Sequence, residues 1–180
     1  MWHVRPAASA WRIDIGGDVQ AEGFVWVAGP GKVFVGRGAR LLGRRAPIEL
    51  RAHCGGQLWI QEGAVIEGGV SIEATRLVRI GAGAHIGAFC KILDNHFHTT
   101  TGDRRGRPES SPVVVGDGAI VGPRAVLLPG TVLGPRSKVG PGSVVSFGTI
   151  RTGNGTAAML RAIRAGPIAR SKTTQSHLPA

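Results

Sequence analysis

Val115-Gly-Asp-Gly-Ala-Ile, Val121-Gly-Pro-Arg-Ala-Val, Leu127-Leu-Pro-Gly-Thr-Val, Leu133-Gly-Pro-Arg-Ser-Lys, Val139-Gly-Pro-Gly-Ser-Val, Val145-Ser-Phe-Gly-Thr-Ile is one continuous run. An aliphatic residue returns at every sixth position without a slip. A small residue stands four places after each, at Ala119, Ala125, Thr131, Ser137, Ser143 and Thr149. Gly follows the aliphatic residue in four of the six hexads. A period of six fits no α-helix. It is three strand alternations, so each small residue shares a face with the aliphatic residue two places later.

The physical reading is a chain wound as a triangular coil, one hexad to each flat side. The aliphatic residue fills the prism and the small residue fits its tight corner. Gly next to the aliphatic is expected to permit a turn with positive φ. Repeats of this kind signal a parallel β-helix. With about 18 residues to a coil, Val115 stacks on Leu133, Val121 on Val139 and Leu127 on Val145.

Working outward, the repeat loosens toward the N-terminus. Val35-Gly-Arg-Gly-Ala-Arg and Leu41-Leu-Gly-Arg-Arg-Ala lead, after a one-residue slip, to Ile48 and Cys54. Ile60, Ile66 and Ile72 follow in phase, and an insertion around Thr75 to Val78 resets it to Ile80, Ile86 and Ile92. Residues 1–23 read as an N-terminal cap, with Trp11 to Ile15 alternating like an edge strand. Residues 24–150 read as the β-helix, with a loop insertion at 99–112. Residues 151–180 read as a C-terminal helix and tail. In the last part, Thr156 to Arg164 holds strong helix formers around a Leu160/Ile163 stripe that covers the open end of the prism. The fold class is therefore all-β, a parallel β-helix with a short C-terminal α-helix.

The 180 residues suffice for one domain with a continuous core. With Gly 29, Pro 11, Phe 5 and no Tyr, the interior is narrow and aliphatic. The formal charge of +11 admits nucleic acid, an acidic surface or a polyphosphate ligand. No alternation of basic and aromatic residues favours nucleic acid, and none is expected as a partner. Cys54 falls at an aliphatic position and Cys90 at a small one, so both read as reduced core fillers rather than a disulfide or metal pair. The N-terminus lacks a long apolar stretch of the signal-peptide kind, and no stretch is apolar and long enough to span a membrane. A cytoplasmic protein is the expectation.

The pattern breaks after Ile92. Leu93-Asp94-Asn95-His96-Phe97-His98 brings polar groups where an inward residue was due, and a polar, aperiodic stretch runs from Thr99 to Ser111 before Val113 restarts the repeat. A long irregular loop inside a regular fold is a functional candidate. An imidazole held in one tautomer by a carboxylate accepts a proton near neutral pH. His98 has Asp94 four residues before it, on the same face if the strand stays extended, and Glu109 in the loop beyond. Alternate histidines His96 and His98 can also share a metal ion, but a third ligand would have to be His85 or come from another subunit. No metal is expected.

The hexads, the Asp94-Asn-His-Phe-His98 break, the loop and the return at Val113-Val-Val-Gly-Asp-Gly together resemble the hexapeptide-repeat acyltransferases. The nearest look is to sugar and polysaccharide O-acetyltransferases of the maltose and galactoside acetyltransferase kind. The resemblance spans roughly Ile60 to Arg170, and the Asp-x-x-Phe-His element with its loop is more specific than the hexads. It implies a left-handed β-helix, an exception to right-handed crossovers, and a homotrimer. It implies that His98 is the general base in direct attack of an acceptor hydroxyl on acetyl-CoA, with Asp94 or Glu109 as its orienting acid. The acceptor is a small molecule or glycan. The donor's pantetheine arm would run along Gly87, Gly122-Pro123 and Gly140-Pro141. Ser146 and Arg170, in Ala165-Gly-Pro-Ile-Ala-Arg170, would lie near its nucleotide. The chain departs from the family at Phe147, where Lys is usual after the small polar residue, at Thr99 in place of Pro, and at Ile120 in place of Trp. A non-catalytic β-helix for assembly or binding, and an enzyme like the γ-carbonic anhydrases, are the alternative readings.

Overall fold

The computed structural model describes residues 2–4, 12–96, 109–146 and 148–150, the first and last of these and residue 12 by backbone alone. All of its regular elements are strands, and every pairing between them is parallel. The chain is an all-β parallel solenoid of about six turns, consistent with a left-handed β-helix. The turns occupy residues 12–28, 32–52, 57–74, 77–93, 113–127 and 131–145, and are called coils 1 to 6 below.

Each coil contributes one strand to each of three faces. The first face is a seven-stranded sheet running from Arg12–Ile15 through Lys32–Val35, Gln57–Ile60, Leu77–Ile80, Val113–Val115 and Thr131–Leu133 to Gly148–Ile150. The other two faces form one sheet, because Gln20–Ala28 and Arg40–Ala52 run unbroken around the edge between them. Inward residues stack in register. Val35, Ile60, Ile80, Val115 and Leu133 form one column, and Leu41, Ile66, Ile86, Val121 and Val139 a second. Leu50, Ile72, Ile92, Leu127 and Val145 form the third. The three stackings expected from the hexads are present. Nearly all of these side chains are fully buried, and burial stabilises each by about 1.5–3 kcal/mol relative to exposure. Small residues Ala39, Ala64, Ala84, Ala119 and Ser137 stack at the edge between the first and second faces, all buried.

Three readings are corrected. The coil begins before residue 24: Ile13 pairs with Val33 and Ile15 with Val35, so the stretch 12–23 is already solenoid. The third inward column takes Leu50, not Ile48, and Cys54 falls in the corner after it, where it is exposed; Cys90 is buried as expected. The Gly after the aliphatic is not the residue with positive φ. That conformation lies two places later, at Gly118 (φ 63), Arg124 (φ 59) and Arg136 (φ 56). The preceding Gly answers to coil spacing instead: a Cβ on Gly116 would lie 2.6 Å from Gly134 C, and one on Gly122 would lie 2.7 Å from Pro141 N, both in the next coil. The C-terminal helix expected at 156–164 lies outside the described residues.

Candidate functional site

The break in the repeat occupies the edge between the third and first faces. The third-face strand Lys91–Leu93 ends there, and the first face resumes at Val113–Val115. The excursion leaves and returns at one point. Ser111 N donates to Asp94 O at 2.9 Å, Asn95 Nδ2 donates to Ser110 Oγ at 2.8 Å, and Gly130 N donates to Ser111 O at 3.0 Å. Asp94 and Asn95 are both buried.

Asp94 faces inward to the preceding corner of the same edge. Its Oδ1 accepts Thr75 N at 2.7 Å, and its Oδ2 accepts Arg76 N at 2.7 Å and Leu77 N at 2.6 Å. These are the residues of the insertion that reset the phase. The carboxylate therefore satisfies three backbone donors that the bulged corner leaves without sheet partners, an arrangement of charge-assisted bonds. Glu109 and His96 are exposed at the two ends of the excursion. His98, Arg104, Arg105, Arg107, Phe147 and Arg170 lie outside the described residues.

The residues expected along a donor arm fall on a different edge, between the second and third faces. Gly87 N donates to Val121 O at 2.8 Å and Gly122 N to Val139 O at 2.9 Å, so Gly87, Gly122-Pro123 and Gly140-Pro141 rise one above another. Phe89 projects from this edge, about half exposed, with φ 59 and its ring over Gly69. Ser146 is on the loop edge, exposed after Val144–Val145. The structure thus gathers Asp94, Glu109 and Ser146 on one edge and the Gly-Pro residues on another, with the third face between. Between Gly87 and Asp94 run the Ala88–Phe89 corner and the third-face strand Lys91–Leu93.

Sequence reasoning missed a set of acids that act across coils. Glu67 bridges His85 Nε2 at 2.8 Å and Ala88 N at 2.9 Å, beside Gly87 on the Gly-Pro edge. Asp117 Oδ1 accepts Ala82 N at 3.0 Å on the remaining edge. His53 Nε2 lies 3.4 Å from Glu73 Oε2. Glu67 and Glu73 reach partners 18 to 21 residues away, about one coil, and Asp117 reaches one 35 residues away, across the excursion, so these spacings show only once the coil length is known. His85, the third ligand a His96/His98 metal site needs, is committed to Glu67. Among the described residues no three His, Cys, Asp or Glu side chains come together as metal ligands. Burial pushes the Cys90 thiol above its ordinary range, and its Sγ lies 3.1 Å from Gly122 O.

Residues 112–146 match the family model described as bacterial transferase hexapeptide (six repeats). That stretch is coils 5 and 6, where every hexad has the same length. Together with the stacked solenoid, the match supports the hexapeptide-repeat transferase family. The longer corners of coils 2 to 4 lie outside the match. No curated protein matches the chain.

Proposed function

We propose that the chain is an acyl-CoA-dependent O-acyltransferase, with acetyl-CoA as donor and a hydroxyl of a sugar or glycoconjugate as acceptor. The observation that supports this is the fastened excursion. A solenoid whose other corners are short gives up one corner to a long polar segment bearing His98, and ties both ends of that segment at Asp94–Asn95 and Ser110–Ser111. A purely structural coil gains nothing from such a corner, since each ordered residue costs about 1–2 kcal/mol of backbone entropy.

In this reading His98 takes the proton from the acceptor hydroxyl as its oxygen attacks the thioester carbonyl. The tetrahedral adduct then collapses, the C–S bond breaks, and the proton passes to the departing thiolate. No acyl-enzyme forms. The donor arm lies on the edge of Gly87, Gly122, Pro123, Gly140 and Pro141. Within one chain that edge and the loop edge stand on opposite sides of the third face. In this reading the site is completed between copies in a trimer, with the loop edge of one protomer against the Gly-Pro edge of its partner.

Calorimetric titration of acetyl-CoA into the wild type and His98→Ala tests the reading, followed by thiol release from acetyl-CoA with a panel of sugar acceptors. Binding to both proteins, with thiol release from the wild type alone, is the expected result. Absence of binding to the wild type at millimolar acetyl-CoA refutes it.

A further inference from the structure

Asp94 lies in the run that marks the catalytic segment, yet its surroundings differ from those of an acid that holds a base. The third-face strand stops at Leu93. The side chain is fully buried. Oδ2 already accepts two N–H groups and Oδ1 a third, at 2.6–2.7 Å, which uses three of about four lone-pair positions. The backbone of the same residue receives Ser111 N, and the next side chain holds Ser110 Oγ. Arg76, whose N–H is one of the three donors, also places Nη1 3.4 Å from Ser110 O. The corner at 75–77, the start of the excursion and its end are thus one hydrogen-bonded unit.

The geometry points to Asp94 as a positioning residue. It fastens the root of the excursion that carries His98 to the 75–77 corner of the coil below, its carboxylate engaged with that corner. This deepens the reading of His98 as the base and rests on it. It also leaves Glu109, exposed at the far end of the excursion, as the acid free to meet the imidazole.

The two roles for Asp94 have different signatures. A carboxylate beside an imidazole favours the imidazolium and raises the midpoint of its titration by about 1–3 units. Removing that carboxylate lowers the midpoint again. An anchor leaves the midpoint alone and instead protects amides of the segment it holds, because local opening is what exchange reports.

The test uses the full chain as Asp94→Asn, with Ser110→Ala as a second variant that leaves the buried carboxylate in place. Amide hydrogen exchange is followed by mass spectrometry, and the His98 ring is titrated by NMR with labelled histidine. For Asp94→Asn, exchange across 75–77 and 94–111 is expected to accelerate on the order of tenfold or more, while 120–139 is unchanged. The His98 midpoint is expected to stay within about 0.3 unit of wild type. Ser110→Ala is expected to show the same acceleration in smaller measure. A His98 midpoint that falls by about one unit or more in Asp94→Asn overturns the proposal in favour of direct contact. So does unchanged exchange across 94–111. Where Asp94→Asn does not fold, Ser110→Ala decides, and unchanged exchange in it overturns the proposal. Neither readout needs donor or acceptor. Full activity in His98→Ala would remove the base while leaving the anchor result standing, so the two failures are distinct.

Discussion

Gly122 and Gly140 occupy the same place in successive hexads, and both are assigned to the donor edge. Their surroundings differ in one respect. A Cβ on Gly122 would lie 2.7 Å from Pro141 N and 2.9 Å from Gly140 C, whereas one on Gly140 would meet, among the described residues, only Ser143 Oγ, at 3.4 Å. Ordinary contact begins near 3.4 Å, so Gly122→Ala must spread coils 5 and 6 by about 0.7 Å at that corner. The bond from Gly122 N to Val139 O, now 2.9 Å, would lengthen to about 3.6 Å and be lost. Overpacking of a close-packed site costs about 1–3 kcal/mol, and the lost backbone bond adds about 1 kcal/mol. At roughly 2–4 °C per kcal/mol for a chain of this size, Gly122→Ala should melt about 4–16 °C below wild type. Gly140→Ala meets no clash among the described residues and loses unfolded-state freedom, worth about 0.4–1 kcal/mol in its favour, so it should melt at or slightly above wild type. Thermal unfolding followed by far-ultraviolet circular dichroism reads both. Equal melting of the two variants, or a larger drop for Gly140→Ala, would refute the claim that coil spacing dictates these glycines. Acetyl-CoA affinity supplies the second half: a loss of binding in a fully stable Gly140→Ala is the mark of a donor groove.

Ser137 Oγ is buried with no hydrogen-bond partner among the described residues, at a position where other coils carry Ala39, Ala64, Ala84 and Ala119, so Ser137→Ala should stabilise by about 1 kcal/mol in urea unfolding. Arg136 holds φ 56 at a corner position occupied elsewhere by Gly38, Gly63, Gly83 and Gly118; Arg136→Gly should raise the melting temperature, since the left-handed conformation costs a side chain about 1–2 kcal/mol. Cys54 is exposed and Cys90 buried with its thiol pushed up by burial, so a maleimide should label one thiol in the native protein and two after denaturation. The folded Cys90 keeps its proton while the unfolded thiol ionises near 9.0, so its contribution is complete below that pH and is lost above it. Stability measured from pH 8 to 10 should accordingly fall less steeply in Cys90→Ala. Glu109 is exposed, so Glu109→Gln should melt with wild type while lowering kcat on an acceptor found by screening, by less than the roughly 100-fold or more expected of His98→Ala; an unchanged kcat would remove Glu109 from the site.

What the sequence makes legible is what the corners leave constant. From Val115 to Val145 every corner has one length, and all three stacked columns follow from counting by six. Coil 2 defeats the count because its corners are longer. Arg44 to Pro47 bulge at one edge and His53 to Gly56 at the next, so the inward residue moves to Leu50 and then to Ile60, and Cys54 is left outside. The glycines after the aliphatic residues were visible, but their cause was not, because a steric demand from the next coil leaves no mark within a hexad. The candidate site was legible as a break in pattern. The partners of Asp94 were not, since they are the amides of 75–77, which any residue but proline supplies.

Acids and prolines meet the same geometry at several corners of this solenoid. The N–H of the first corner residue turns away from the sheets, and where the corner is partly buried a carboxylate can receive it. Asp117 meets it at Ala82 and Glu67 meets it at Ala88, each from a neighbouring coil. Where the corresponding corner residue is Pro123, Pro135 or Pro141, the donor is absent and no acid is needed. Carboxylates near the edges are thus largely engaged in holding one coil to the next, and an acid close to a histidine in sequence is weak grounds for a catalytic pair. Asp94 follows the same rule with three donors instead of one, because the corner below it is bulged. Its position places that rule at the root of the excursion. The segment bearing His98 departs beside a corner held by three charge-assisted bonds, which is where a loop must be rooted if residues beyond it are to hold a fixed place.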